Sequence, residues 1–208
     1  MTYRHVIWDL GGTLVDTYPE VDMALAHATF SSHPTDTQLH EVRQLRAISI
    51  RHAIITLTQR YHLHPDILNR AYHEVLERWE HTPAPLMPGA RQVLDAVHRG
   101  NGLNLIVTHR DSSSAQLLLD GLRIDASIDD MICAPSGWPR KPDPTMLCEL
   151  LARHHIDPSQ TIGVGDRLID GQAARAAGCR GILFDPDSSS DSPDAIRELS
   201  ALLPLMTR

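Results

Sequence analysis

The chain has 208 residues, enough for one sizeable core or for a core with a small inserted unit. Its hydrophobic content of 42% and charged content of 22% are ordinary for a globular protein, and its formal net charge of −7 comes from acids spread along the chain rather than blocked. This balance argues against nucleic acid or an anionic membrane as the main partner, since both reward a basic patch, and leaves a small phosphorylated molecule open.

From the N-terminus, Met1-Thr2-Tyr3-Arg4-His5 runs into a short apolar stretch without a leader-like segment or a long apolar span, so a cytoplasmic protein is expected. Residues 4–9 read as a short buried strand stopped by the turn signal Leu10-Gly11-Gly12. Residues 17–82 then hold long helix-like stretches, 20–30, 37–60 and 65–80, with no strand pattern. Pro83, Pro85 and Pro88 mark the return of a different rhythm.

Beyond that point short apolar runs alternate with helical segments. Strands are predicted over 103–108, 132–134, 161–164 and 181–184, and helices over 88–100, 112–121, 143–154 and 170–177. Proline near a helix start and glycine just past its end supply the punctuation, as Pro88 and Gly100 do for the first of these helices. Such alternation implies right-handed crossovers and a doubly wound parallel α/β sheet. The predicted architecture is an α/β core of residues 1–16 and 83–208 with an all-helical cap at 17–82. Asp185–Asp194, rich in Ser, Asp and Pro, reads as a solvated surface loop. Cys133, Cys148 and Cys179 contain no Cys-x-x-Cys pair, so neither a disulfide framework nor a structural zinc site is expected.

Ligands of an open parallel sheet bind at the carboxyl ends of its strands. Asp9, Thr108, Lys141 and the pair Asp166/Asp170 fall at or near such ends. Each alone has a plain structural explanation, as a helix cap or a turn former. Together they suggest carboxylates for a hard cation, with a hydroxyl and an ammonium for phosphate oxygens. Lys141 stands out on composition, because every other residue in the Lys plus Arg total of 19 is arginine. A chain that uses arginine elsewhere places its one compact ammonium where a point charge is wanted. Trp8, inside the first strand, is expected in the core.

Asp9-Leu10-Gly11-Gly12-Thr13-Leu14, Thr108, Lys141-Pro142-Asp143-Pro144 and Gly165-Asp166-x-x-x-Asp170 resemble, in order and spacing, the four motifs of the haloacid dehalogenase superfamily. The helical segment between the first two resembles that family's cap. Response-regulator receivers share an Asp, a Thr and a Lys, but their acidic pocket precedes the phosphoacceptor. The resemblance implies a phosphatase-type enzyme, acting on a small phosphorylated metabolite as a monomer or homodimer. Asp9 would be the nucleophile that forms an aspartyl-phosphate. Mg²⁺ would be held by Asp9, the Gly11 carbonyl and Asp166, with Asp170 acting through water or as an orienting group. Gly11, Gly12, Thr108, His109 and Lys141 would hold the transferring oxygens.

The pattern departs from the family at one place. The position two residues after the nucleophile usually carries an aspartate that serves as general acid and base, and here it is Gly11. Four routes are open. His109, or failing it a cap histidine or Glu20, supplies the proton at a pKa suited to neutral pH. Alternatively, the leaving group needs no acid. A third route is different chemistry, although a phosphonatase would need a cap lysine that is missing, and a dehalogenase leaves Asp166, Asp170 and Lys141 unexplained. The last is a weakly active or inactive protein that binds Mg²⁺ and a phosphorylated ligand as a sensor or interaction module.

Overall fold

The structure is a computed structural model that describes residues 2–135, 137–186 and 192–206. Six parallel strands form one sheet: β1 (His5–Trp8), β2 (Asn104–Thr108), β3 (Asp130–Cys133), β4 (Thr161–Gly165), β5 (Arg180–Phe184) and β6 (Ala195–Ile196), in the order β3-β2-β1-β4-β5-β6. β1 pairs with β2 on one side (Trp8 beside Ile106) and with β4 on the other (Trp8 beside Val164). The chain winds outward in both directions from β1, so the strand order reverses there and opens a crevice at the carboxyl ends of β1, β2 and β4.

The expected strands and helices are present, with ends shifted by at most two residues. β6 lies just beyond the predicted surface loop. Of that loop, residues 187–191 are outside the described set, while Arg180 anchors its far end through Asp194 Oδ1 at 2.9 Å and the Pro193 carbonyl at 2.7 Å.

Residues Thr17–Ala84 form one compact unit, and Met1–Asp16 with Pro85–Arg208 form the other. The first is helical: α1 (Tyr18–Thr29), α2 (Asp36–Ile48), α3 (Ile50–Arg60) and α4 (Pro65–Trp79). One continuous helix-like stretch was expected over 37–60, and the structure corrects this to two helices. Ser49 is extended (φ −174°, ψ 156°), ends α2, and caps α3 by accepting the His52 amide on its hydroxyl at 3.0 Å. Within this unit Asp22 is buried and accepts two hydrogen bonds from one edge of the Arg46 guanidinium, at 3.0 and 3.1 Å, while Arg46 also stacks 3.7 Å above the Tyr18 ring. Where the chain leaves and re-enters the other unit its two segments lie side by side, the Asp16 amide bonding the Pro85 carbonyl and the Met87 amide the Leu14 carbonyl.

The sheet carries helices on both faces: α5 (Ala90–Arg99), α6 (Ser112–Gly121), α7 (Thr145–Arg153) and α8 (Leu168–Ala176). Strand alternation sends Ile7, Leu105, Val107 and Ile132 into a core with Met146, Leu147, Leu150 and Leu151 of α7 and Ala173 and Ala174 of α8. Each fully buried leucine of this kind contributes on the order of 2 kcal/mol. On the opposite face Trp8 is fully buried, as expected, and donates its indole N–H to Asn104 Oδ1 at 3.1 Å. Asn104 in turn donates to the Leu94 carbonyl of α5 at 3.1 Å. Among the described residues no helix is long and apolar enough to cross a membrane.

Helix α8 approaches the sheet closely because two strand residues lack side chains. A Cβ at Gly163 would lie 2.4 Å from the Ala174 Cβ, and one at Gly165 would lie 2.3 Å from the Asp170 Cβ. The second contact matters for chemistry, since it brings the Asp170 carboxylate against the end of β4. Gly163→Ala is therefore expected to destabilise the α/β unit by about 1–3 kcal/mol through overpacking. Ala174→Gly should recover part of that loss, and urea denaturation of the single and double variants measures both.

Candidate active site

Asp9 is the first residue past β1, and its amide still bonds the Val164 carbonyl of β4 at 2.8 Å, which fixes its backbone at the crevice. Beyond it the chain turns tightly. The amides of Thr13, Leu14 and Val15 converge on the Leu10 carbonyl, and Gly12 takes a φ of 86°, a conformation that glycine adopts at little cost. Gly11 has no such φ, so nothing in its backbone conformation demands glycine. Thr13, fully buried, donates its hydroxyl to Asp166 Oδ1 at 3.3 Å and so ties this turn to the loop after β4.

Lys141 reaches the same place from the loop before α7. Its ammonium donates to Asp9 Oδ1 at 2.6 Å and to the Val107 carbonyl at 2.9 Å. Asp170 Oδ1 also lies 2.6 Å away, in an ion pair whose angle falls outside that of a directed hydrogen bond. The other oxygen of Asp170 accepts the Arg167 amide at 3.0 Å. All three side chains are buried, with Asp9 5%, Lys141 6% and Asp170 5% exposed. Burial pushes the Asp9 carboxyl above its usual range, against the pull of the Lys141 ammonium. Burial alone would lower the Lys141 pKa, but Asp9 and Asp170 outweigh it and hold the ammonium above its ordinary value. One cation therefore neutralises two carboxylates that would otherwise repel each other in a poorly solvated space.

A family profile described as haloacid dehalogenase-like hydrolase matches residues 6–184. The chain belongs to this hydrolase family. A phosphoglycolate phosphatase of Nitrosospira multiformis is 30% identical over 181 residues, covering 84% of this chain and 80% of the relative. A hydrolase structure from Streptococcus pneumoniae superposes with a TM-score of 0.69 at 29% identity, covering 89% of this chain and 94% of that one. A predicted phosphoglycolate phosphatase from Haemophilus somnus reaches a TM-score of 0.78 at 19% identity, covering 99% and 98%, and so shares the fold.

Within this haloacid dehalogenase-like site the remaining sequence candidates fall as follows. Thr108 ends β2, is buried, and accepts the Arg110 amide on its hydroxyl at 3.2 Å. His109 does not match its expected part. Its Nε2 accepts the backbone N–H of Lys141 at 3.0 Å, which places the ring proton on Nδ1. Burial, and then the positive charges of Lys141, Arg167 and Arg140, lower its pKa to about 4. The sequence suggests an imidazole suited to proton transfer at neutral pH; in this arrangement the ring is neutral there and supports the Lys141 backbone. Glu20, the other acid considered, faces Arg78 of its own helical unit at 3.5 Å.

The oxygen donors available to a metal are the Asp9 and Asp166 carboxylates and the Gly11 carbonyl, which accepts no hydrogen bond among the described residues. No three His, Cys, Asp or Glu side chains are grouped as a cage there, again among the described residues. A set of hard oxygens with few protein ligands fits Mg²⁺, which keeps much of its water, better than Zn²⁺ or Ca²⁺. Sequence reasoning missed the Thr13 link, the Val107 carbonyl and the Arg167 amide. The first was legible as a hydroxyl inside the quoted motif; the other two are backbone groups with no side-chain signature.

The His109 arrangement has a consequence for pH. Its folded pKa of about 4 lies below the ordinary 6.5, so below pH 6.5 the unfolded chain takes up a proton that the folded one refuses. The stability this group supplies is complete above pH 6.5 and is lost as pH falls toward 4. His109→Gln keeps an acceptor for the Lys141 amide but does not titrate. Its urea midpoint should fall less steeply than wild type between those pH values, and parallel curves would contradict the assignment.

Proposed function

We propose that this hydrolase is a Mg²⁺-dependent phosphatase that transfers the phosphoryl group of a small phosphorylated molecule to Asp9 and then to water. The observation that carries the reading is the Lys141 ammonium between Asp9 and Asp170, at the point where the strand order reverses. Relatives named as phosphoglycolate phosphatases support it, as does the all-oxygen donor set.

In this reading Asp9, the Gly11 carbonyl and Asp166 would hold the metal, which would offset the negative charge that a carboxylate meets when it approaches a phosphoryl group. Lys141 favours the ionised form of Asp9 against the effect of burial, and aims it. Two of its donor directions are already taken by Asp9 and the Val107 carbonyl, and Asp170 covers a third side. Its contact with a transferring oxygen, expected from the sequence, then requires one of those partners to yield. Asp170 orients Lys141 rather than the metal, because one oxygen faces the ammonium and the other accepts the Arg167 amide. Thr108 and the Gly11 amide are the neutral donors for phosphate oxygens, since the amides of Gly12, Thr13, Leu14 and Val15 already bond the Val15 and Leu10 carbonyls. The helical unit Thr17–Ala84, expected from the sequence as a cap at 17–82, would select the substrate.

A second reading is favoured by one observation, the absence of any side chain at Gly11. In it the protein binds Mg²⁺ and a phosphorylated ligand with little turnover. Hydrolysis of an aryl phosphate separates the two. The phosphatase reading predicts Mg²⁺-dependent turnover that Asp9→Asn lowers by on the order of 10³-fold or more while circular dichroism is unchanged. Turnover that survives in Asp9→Asn, or is absent from wild type at saturating Mg²⁺, contradicts it.

A further inference from the structure

Phosphoryl transfer to Asp9 leaves the departing oxygen with an electron pair, and a census of proton donors around the site shows what can meet it. Gly11 has no side chain. The Lys141 ammonium is spent on Asp9, the Val107 carbonyl and Asp170. Asp170 has one oxygen against that ammonium and the other on the Arg167 amide, so it has no proton to give. Asp166 accepts from Thr13. His109 accepts the Lys141 amide on Nε2, and the proton that its neutral ring keeps on Nδ1 is too weakly acidic to be transferred at neutral pH. Thr108 and Thr13 offer only hydroxyls, which stabilise an anion but do not protonate it at neutral pH. Among the described residues of the α/β unit around the site, these groups hold charge in place and none delivers a proton.

We infer that the substrates of this site are activated phosphates, whose leaving group departs as a stable anion: acyl phosphates, phosphoric anhydrides, and aryl or enol phosphates. The inference rests on the phosphatase reading and narrows it. The chemistry balances without an acid. An Asp9 oxygen bonds to phosphorus, the bond from phosphorus to the leaving oxygen breaks, and its electron pair leaves with that oxygen. Water then bonds to phosphorus, the bond to Asp9 breaks with its electrons returning to the carboxylate, and the protons of that water stay with the released phosphate. In the second step the leaving group is itself a carboxylate, so it too departs unassisted. An alkyl ester such as phosphoglycolate expels a poorly stabilised alkoxide and forgoes the ~10²–10⁴-fold that a positioned acid supplies.

The test is a leaving-group series with Mg²⁺: acetyl phosphate, p-nitrophenyl phosphate, phenyl phosphate and phosphoglycolate, compared by kcat/KM in wild type and Gly11→Asp. Because the backbone at Gly11 lies outside the left-handed region, an aspartate is conformationally allowed there. Wild type should lose on the order of 10²-fold or more from the activated to the alkyl members, and Gly11→Asp should narrow that alkyl-to-activated ratio by about 10²-fold. The wild-type series decides the matter even if Gly11→Asp fails to fold. Alkyl and aryl members within tenfold of each other in wild type would overturn the inference, showing a donor from elsewhere in the chain, and leave the phosphatase reading standing. No metal-dependent turnover of any member would overturn both.

Discussion

The site depends on one ammonium between two carboxylates. Lys141 is the only lysine of the chain, is 6% exposed, and stands 2.6 Å from oxygens of both Asp9 and Asp170. Removing two carboxylates and an ammonium from water costs several kcal/mol per ion, and the mutual attraction offsets this only while all three stay in place. The surroundings are built to keep them there. The Val107 carbonyl and the His109 ring hold the lysine at its two ends, head and backbone. Gly165 lets Asp170 come close to β4, and the Arg167 amide fixes the oxygen of Asp170 that the lysine does not use. An arginine could not substitute, since a planar fork does not fit a point between three oxygens on different elements.

The sheet explains why these groups meet. Asp9, Thr108 and Asp166 follow or end β1, β2 and β4, the three neighbouring strands at which the winding direction reverses. Short continuous apolar runs place those strands and therefore place their ends. A long helical segment can leave after Val15 and return before Met87 without disturbing the site, because the outgoing and incoming chains bond to each other.

This is also why so much was legible in the sequence. Short apolar runs stopped by polar residues give strands and their ends together, and the solitary lysine advertised itself by composition. The break at Ser49 was harder to read, because helical periodicity continues across it and only a serine hydroxyl in the capping position marks it. The hydrogen bonding of His109 was hidden for a different reason. Its place beside Thr108 was clear, but which way the ring points depends on the path of the Lys141 loop, more than thirty residues away. The Val107 carbonyl and Arg167 amide belong to the backbone and leave no trace in residue identity. Gly11 was legible as an absence, and the structure adds that its backbone would accept a side chain.

The ordering of Asp9 by Lys141 is meaningful only if Asp9 itself takes the phosphoryl group. Acid quenching of the protein during turnover of acetyl phosphate with Mg²⁺, followed by peptide mass mapping, addresses this directly. The account predicts an acid-stable phosphoryl adduct on the peptide that carries Asp9, and its absence in Asp9→Asn. A phosphoryl group found on another residue, or turnover with no adduct at Asp9, would contradict it.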